Sequence, residues 1–340
     1  MIETAVVILN WNGKHHLQSF LPKILSLSVS ANSKVFIGDN GSTDGSVAFL
    51  QEDFPEVTLI QMDRNYGFSE GYNRVLRTID ARYFVLLNSD IEVTQNWLEP
   101  MISILRDQPE VAAVMPKIRS YKHPEYFEHA GAAGGFIDRF GYPFCRGRIL
   151  NRVEKDTGQY DQETEIFWAT GACMVVRAGL YKEMGGFDEF MFAHMEEIDL
   201  CWRFKNAGYK VLFTPKSTVF HIGGGTLPNE HPRKLFLNFR NNLILLYKNL
   251  PSRKKPGVLL IRMILDGIAA LKFLFSLKFR HAFAILKAHM HFYQVLPAYR
   301  KARKSLPAME SYPEGVYMGS ILFQFYFRGV LKYSSLNIGP

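Results

Sequence analysis

Acidic residues crowd the stretch from Gly186 to Arg203, where Glu196, Glu197 and Asp199 fall within four positions. Acids are favoured at a helix start by the macrodipole, but three so close together exceed what that field or a cap requires. A carboxylate held on a rigid element beside a reacting hydroxyl is a general base. Glu197 or Glu196 is placed for that task, with Asp199 and Arg203 as groups that contact an acceptor or support the site. Farther upstream, Asp39 opens the turn-rich run Asp39-Asn40-Gly41-Ser42-Thr43-Asp44-Gly45-Ser46. Thr43 or Asp44 can cap the helix that follows, which leaves Asp39 free to accept hydrogen bonds from a ribose hydroxyl or a pyrimidine N–H. Asp90 ends Asn88-Ser89-Asp90, just past the apolar run Tyr83–Leu87. A hard divalent cation such as Mg²⁺ or Mn²⁺ takes one or two carboxylates beside phosphate oxygens, and Asp90 suits that use. His221 precedes Gly223-Gly224-Gly225-Thr226, whose missing side chains permit close approach to a phosphate, so it is a candidate second ligand.

These residues need a frame that brings them together. From the N-terminus, apolar runs alternate with helical patterns: Ala5–Leu9 then Leu17–Leu27, Lys34–Gly38 then Ser46–Phe54, Val57–Met62 then Ser69–Ile79, Tyr83–Asn88 then Trp97–Asp107, and Val111–Met115. Such alternation predicts an α/β fold with a mostly parallel sheet covered by helices on both faces. Ligands in such folds lie beyond the C-terminal ends of the strands, where Asp39 and Asp90 fall. Ile118 to Trp168 has no clear period and reads as loops and short strands. Ala172–Val176 is the next expected strand, Glu197–Ala207 a helix ended by Gly208, Lys210–Phe213 and Thr218–Phe220 two short strands, and Lys234–Asn249 a helix.

The net charge of +8 is uneven: residues 231–310 hold 16 Lys and Arg against Asp266 and Glu310, a net +14, so the remainder is −6. Val258–Leu277 is strongly apolar but is interrupted by Arg262, Asp266 and Lys272, which makes a poor membrane span. Arg262 and Asp266 share one helix face and leave a wide apolar arc, suited to packing on the core or lying in a membrane interface. The basic residues follow no recognisable nucleic-acid motif, so no nucleic-acid partner is expected. Three widely spaced cysteines, Cys145, Cys173 and Cys201, suggest neither a disulfide framework nor a zinc site. Ala5–Leu9 is too short for a signal peptide, and a reducing, cytoplasmic setting is expected.

Taken in order, Val6-Val7-Ile8-Leu9-Asn10-Trp11-Asn12, the Asp39–Ser46 run, Asn65-Tyr66-Gly67-Phe68 with Gly71 and Asn73, Asn88-Ser89-Asp90, Thr170-Gly171-Ala172, Gly186–Arg203 and His221 resemble glycosyltransferase family 2, in its bacterial rhamnosyltransferase-like branch. The resemblance covers roughly residues 4–250. It implies a GT-A fold, a Rossmann-like mostly parallel sheet flanked by helices, with a nucleotide-binding half over about 1–117 and an acceptor and catalytic half over 118–250. Residues 251–340 form a helical, basic C-terminal extension. It also implies inverting transfer of a sugar from a UDP- or dTDP-sugar to a saccharide carried on a polyprenyl diphosphate, in cell-surface polysaccharide or O-antigen assembly, with peripheral contact at the inner face of the membrane. Carried over by position, the Asn10-Trp11-Asn12 backbone and Asp39 hold base and ribose, and Asn65, Gly67 and Ser89 line the nucleotide-sugar pocket. Asp90 and His221 bind Mg²⁺ or Mn²⁺. Glu197 aligns with the family's base, and Arg240-Asn241 with an Arg-Asn pair on the next helix. Two positions depart from the pattern. Asn88 replaces the first acid of the family's Asp-x-Asp motif, and Glu stands at 197 where Asp is frequent. A non-catalytic nucleotide-sugar-binding member and a sugar-phosphate nucleotidyltransferase are the rival readings. The latter needs its glycines after the first strand, where this chain has Asn10-Trp11-Asn12-Gly13.

Overall fold

The computed structural model describes residues 2–28, 32–223, 231–303, 310–336 and 338. Its first half follows the alternation in the sequence: β1 (Ile2–Asn10), α1 (Lys14–Ser28), β2 (Ser33–Asp39), α2 (Ser46–Asp53), β3 (Thr58–Gln61), α3 (Gly67–Arg77), β4 (Ala81–Asn88), β5 (Ile91–Val93), α4 (Glu99–Asp107) and β6 (Val111–Ser120). The centres of β1 and β4 are apolar without interruption. Val6, Val7 and Ile8, like Phe84, Val85 and Leu86, are fully buried, as strands covered by helices on both faces must be.

The second half begins with β7 (Gly135–Asp138), β8 (Pro143–Cys145), β9 (Arg148–Ile149), β10 (Arg152–Val153), β11 (Thr164–Glu165) and β12 (Cys173–Arg177). Next come α5 (Ala178–Glu183), α6 (Glu196–Asn206), β13 (Lys210–His221), α7 (Pro232–Asn249), α8 (Lys255–Phe275), α9 (Phe279–Arg303), β14 (Val316–Tyr317) and α10 (Ile321–Tyr326). The main sheet runs β11-β13-β6-β12-β4-β1-β2-β3, with β5 on β13. β1 pairs in parallel with β2 and β4, β2 with β3, and β6 with β13, while β12 runs antiparallel between β4 and β6. Register places Asn10 beside Asp39, and Leu9 beside Asn88. Three loops of the site therefore leave one edge of the sheet side by side.

The stretch expected as loops and short strands over 118–168 does hold short strands between loops; it also extends β6 to Ser120 and builds most of a second sheet, β10-β9-β8-β7-β14. Its last strand comes from the C-terminal region, and Ile321 N–H donates to Asp138 Oδ2 at 2.9 Å. The two short strands expected at Lys210–Phe213 and Thr218–Phe220 are one strand, β13, with an irregularity between Thr214 and Thr218. Pairing on both sides of the bend keeps it continuous.

α8 reverses the usual amphipathic arrangement. Arg262 and Asp266 are buried, Arg262 Nε donating to Asp266 Oδ1 at 2.7 Å. Arg262 also reaches the Phe140 carbonyl and Asn242 Oδ1, and His289 Nε2 lies 3.1 Å from Asp266 Oδ2. The apolar arc faces outward: Ile264 and Ile268 are 56% and 57% exposed and Phe275 86%. Val258, Leu259 and Met263 pack inward, but most of that arc turns away from the core, because the charged face occupies the contact with α7 and α9. Among the described residues no helix is long and apolar enough to cross a membrane.

Candidate active site

The loops expected to hold the nucleotide are joined by a mesh of hydrogen bonds. Asp39 Oδ1 accepts from Ser42 N–H at 2.9 Å and Oδ2 from Asn10 Nδ2 at 3.2 Å. Asn12 Oδ1 accepts from Thr43 N–H, Ser42 Oγ accepts from Asn12 N–H, and Asp44 Oδ2 accepts from Lys14 N–H. The loops after β1 and β2 thus form one unit, over which Trp11 is 43% exposed. Gly41 sits at φ +74 with the Arg64 backbone where a Cβ would be, 2.6 Å away, so another residue there would push the loops apart. Buried Asn10 Oδ1 has no partner among the described residues.

Asn65 and Gly67 belong to the adjoining turn. Asn65 Oδ1 accepts from Gly67 N–H at 2.7 Å and from Asn40 Nδ2, and Asn40 Nδ2 also donates to the Gly67 carbonyl. The donors opening α3 are turned away from phosphate: Phe68 and Ser69 N–H both donate to the Phe192 carbonyl, at 2.6 and 3.1 Å. Gly67, at φ +78, lies against Phe192 so closely that a Cβ would sit 2.5 Å from its ring. Asn65 and Gly67 therefore shape this turn and tie it to the loop ahead of α6. Ser89 lies near Gly13, its Oγ 3.3 Å from the place a Cβ there would take.

Asp90 and His221 meet. Antiparallel pairing of β5 with β13 sets Ile91 opposite His221, Ile222 N–H donates to the Asp90 carbonyl, and His221 Nε2 lies 3.1 Å from Asp90 Oδ1. The other ring nitrogen, Nδ1, is 3.1 Å from Glu128 Oε2. Contact with both carboxylates outweighs desolvation and draws the imidazole up to about 10, while His221 holds Asp90 and Glu128 below the usual carboxylate range against their own burial. Glu128 is the residue the sequence did not reveal. It stands in the aperiodic stretch after β6, is oriented by Ala130 N–H, and has room because position 223 is Gly, where a Cβ would come 2.7 Å from Oε1. Gly224, Gly225 and Thr226 lie outside the described residues.

Carboxylate and imidazole donors suit a divalent cation. With Nε2 on Asp90 and Nδ1 on Glu128, His221 sits between two carboxylates and can offer a ring nitrogen to a cation only by giving up its proton. Among the described residues no three His, Cys, Asp or Glu side chains converge on a single ion position. A cation at Asp90 and His221 therefore needs diphosphate oxygens to complete its shell.

The third part is the start of α6. Phe192, His194 and Met195 all have positive φ, from +64 to +74. Each such non-glycine residue costs on the order of 1–3 kcal/mol and persists only when its surroundings over-determine it. Arg240 and Asn241 provide that constraint. Arg240 donates to the Phe190 and Met191 carbonyls, and Asn241 Nδ2 contacts those of Met191, Ala193 and His194 at 2.7–2.9 Å. The strained segment delivers Glu196 and Glu197 with Oε2 of each buried and unpartnered. Burial raises Glu197 to about 7, and burial together with the Glu197 charge raises Glu196 well above its ordinary range. Glu196 is only 4% exposed, whereas Glu197 is part-open. Glu197 also lies beside Gly171, which in turn abuts the Phe68 ring.

Asp199 behaves differently. Fully buried, it pairs with Lys248 at 2.8 Å and Arg203 at 2.9 Å and accepts from Asn249. Despite burial, Lys248 and Arg203 hold its carboxyl down at about 2. Arg203 further binds the Met184 and Gly186 carbonyls. Asp199, Arg203 and Arg240 thus brace the loop and α6.

Comparison with known proteins agrees with this arrangement. The sequence model of glycosyl transferase family 2 matches residues 5–185. The chain is 26% identical over 230 residues to the N-acetylglucosaminyl-diphospho-decaprenol L-rhamnosyltransferase of Mycobacterium tuberculosis, covering 64% of this chain and 75% of that one. It is 24% identical over 163 residues to rhamnosyltransferase WbbL of Escherichia coli, covering 46% and 61%. Its fold is similar to GalNAc-T7 solved with UDP, GalNAc and Mn²⁺ (TM-score 0.56, 15% identity, 73% of this chain and 48% of that chain). It also matches the Pyrobaculum calidifontis mannosyltransferase PcManGT with GDP-Man and Mn²⁺ (TM-score 0.51, 12% identity, 85% and 86%). With the family model spanning more than half its length, the chain belongs to glycosyl transferase family 2 and is a glycosyltransferase built on the GT-A fold.

Proposed function

We infer that the chain transfers a sugar, with inversion, from a UDP- or dTDP-sugar to a saccharide carried on a polyprenyl diphosphate during cell-surface polysaccharide assembly. The observation that carries this reading is Glu197: a half-buried residue whose carboxylate keeps one buried, unpartnered oxygen, raised to about 7 by burial and held on a braced helix start. A base with that affinity takes a hydroxyl proton near neutrality. Glu197 accepts the proton of the acceptor hydroxyl, and that oxygen forms its bond to the anomeric carbon as the bond to the nucleoside diphosphate breaks on the opposite face. Glu196, buried beside it, supports Glu197. The loops around Asn10, Trp11, Asn12, Asp39 and Ser89 hold the nucleoside. Asp90 and His221 would hold Mg²⁺ or Mn²⁺, which would supply positive charge against the diphosphate.

The acceptor's class is supported by the mycobacterial relative, whose name specifies a decaprenol-linked substrate, and by the outward apolar faces of α8 and α9. Besides Ile264, Ile268 and Phe275, the side chains of Leu271, Phe283, Leu286 and Met290 are more than half exposed. The surrounding segment carries the +14 charge. An apolar face with a cationic surround suits an anionic membrane surface, and the enzyme is assigned to the cytoplasmic face of the membrane as a peripheral protein. The reading is tested by incubating the chain with UDP- and dTDP-sugars, Mn²⁺ or Mg²⁺ and a lipid-linked saccharide. Metal-dependent release of nucleoside diphosphate coupled to extension of the acceptor is expected. Nucleotide-sugar binding without any turnover across the panel points instead to a non-catalytic binding protein.

A further inference from the structure

Two adjoining hollows, of about 470 and 500 Å³, share Arg233, Phe236 and Lys287 along the seam between α7 and α9. The two hollows adjoin across these three side chains, and the run of both along the seam is termed the groove. Its outer end is bounded by Phe279, Arg280 and Phe283, just past the exposed Phe275 and Leu277. Its inner end reaches Phe192 and Arg240, the residues that close on Gly67 and clamp the loop before Glu196. On the same first turn of α7, Lys234 is within electrostatic reach of Glu128, His129 and His194. The groove therefore runs from an exposed apolar helix end to the border of the active site.

Its electrostatics are one-sided. No carboxylate among the described residues forms an ion pair with Arg233, Arg280 or Lys287. The acid at the inner end, Glu189, is engaged by Arg77 at 2.5 Å and Asn73 at 3.1 Å. Arg233 rests over the Phe192 ring and Lys287 over the Phe236 ring, at 5.1 and 5.6 Å to the centroids. These contacts hold the cations over apolar surface without neutralising them. Concentrated unpaired positive charge at the middle of a groove, with bare aromatic rings at its outer end, is complementary to a ligand with a compact anionic group joined to a hydrocarbon tail.

We propose that this groove binds the isoprenoid diphosphate of the acceptor, with Arg233 and Lys287 on the phosphates and Phe279 and Phe283 against the first isoprene units. The saccharide beyond the diphosphate then extends past Phe192 toward Glu197. This assignment rests on the reading of the acceptor as lipid-linked. A single-phosphate lipid headgroup matches the cations equally, but it gives no use to the inner end of the groove.

The test is binding of farnesyl diphosphate to the full chain, with inorganic pyrophosphate, farnesol and phosphatidylglycerol vesicles measured alongside. Wild type is expected to bind farnesyl diphosphate more tightly than either pyrophosphate or farnesol. Arg233→Ala/Lys287→Ala should weaken it about tenfold or more, and Phe283→Ser should weaken it while leaving pyrophosphate binding unchanged. Nucleoside diphosphate binding by both variants stays at the wild-type level, which also shows that they are folded. Equal farnesyl diphosphate binding by wild type and the double variant overturns the proposal. So does a loss confined to the vesicles, which assigns the cations to headgroups. Transfer to a lipid-linked saccharide that is unaffected by the double variant removes the groove and leaves the acceptor reading intact. An enzyme that uses only soluble saccharides overturns the acceptor reading and, with it, the assignment of the groove to the acceptor, even where farnesyl diphosphate binds.

Discussion

Asp39, Asp90 and Asp199 are buried with partners within reach: loop donors for Asp39, His221 for Asp90, and Lys248, Arg203 and Asn249 for Asp199. Glu196 and Glu197, buried in the same body, each keep a carboxylate oxygen with no partner. Removal from water acts on both groups, yet it leaves Asp90 and Asp199 below their ordinary range and lifts the two glutamates above theirs. The deciding factor is the partner and not the depth. A buried carboxylate with cations stays charged and can hold a geometry or a metal; one without them binds protons near neutrality and can exchange them.

The largest effect that sharpens this contrast is on stability. Asp199→Asn leaves Arg203 without its buried counter-charge and Lys248 with Asp188 alone, and should cost about 3–5 kcal/mol, read as a fall in the urea midpoint. Glu197→Gln removes an unsatisfied acid and should leave that midpoint unchanged or higher. Equal losses from the two changes would erase the distinction. Asp90→Ala follows, with an expected fall in turnover of about 10³-fold, matched by complete chelation of wild type and not deepened by chelating the variant. Turnover that survives both treatments would remove Asp90 from metal binding.

Next comes the pH profile. Because burial raises Glu197 to about 7, its basic form is scarce below that value, and log kcat/KM should climb by about one unit per pH unit toward pH 7 and then level. The same burial makes the folded state bind these protons more tightly than the unfolded chain. The contribution of Glu197 to stability is therefore fully present below the ordinary carboxylate range and is lost as pH rises through about 7. A flat rate profile from pH 5 to 8 would contradict the assignment. The smallest effect on turnover is expected from the outward face of α8. Ile264→Ser/Ile268→Ser should leave transfer to a soluble acceptor unchanged but reduce co-flotation with anionic vesicles, whereas unaltered flotation would place the membrane contact elsewhere.

Strand-helix alternation made the parallel half of the sheet legible, because its strands are apolar throughout and each precedes a periodic helix. Asp39 and Asp90 could be located for the same reason, as residues leaving those strands. The partnership of Asp90 with His221 came from family resemblance, and antiparallel pairing of β5 with β13 supplies its physical basis. Glu128 carried no signal: a single acid in an irregular stretch acquires meaning only when β6 and β13 bring it to His221. Asp199 and Glu197 look alike in sequence, and only Lys248, Arg203 and Asn249, which close on one and not the other, separate them. On α8 the shared face of Arg262 and Asp266 was readable, but its direction was not. That depends on Asn242, Phe140 and His289 meeting the charges inside.

The most direct test of the account compares Glu197→Gln with Glu196→Gln in single-turnover transfer, with donor binding measured on the same samples. The account predicts a loss of about 10²–10⁴-fold for Glu197→Gln at unchanged donor affinity, and a much smaller loss for Glu196→Gln. A folded Glu197→Gln enzyme that binds donor and transfers sugar at near the wild-type rate would contradict it.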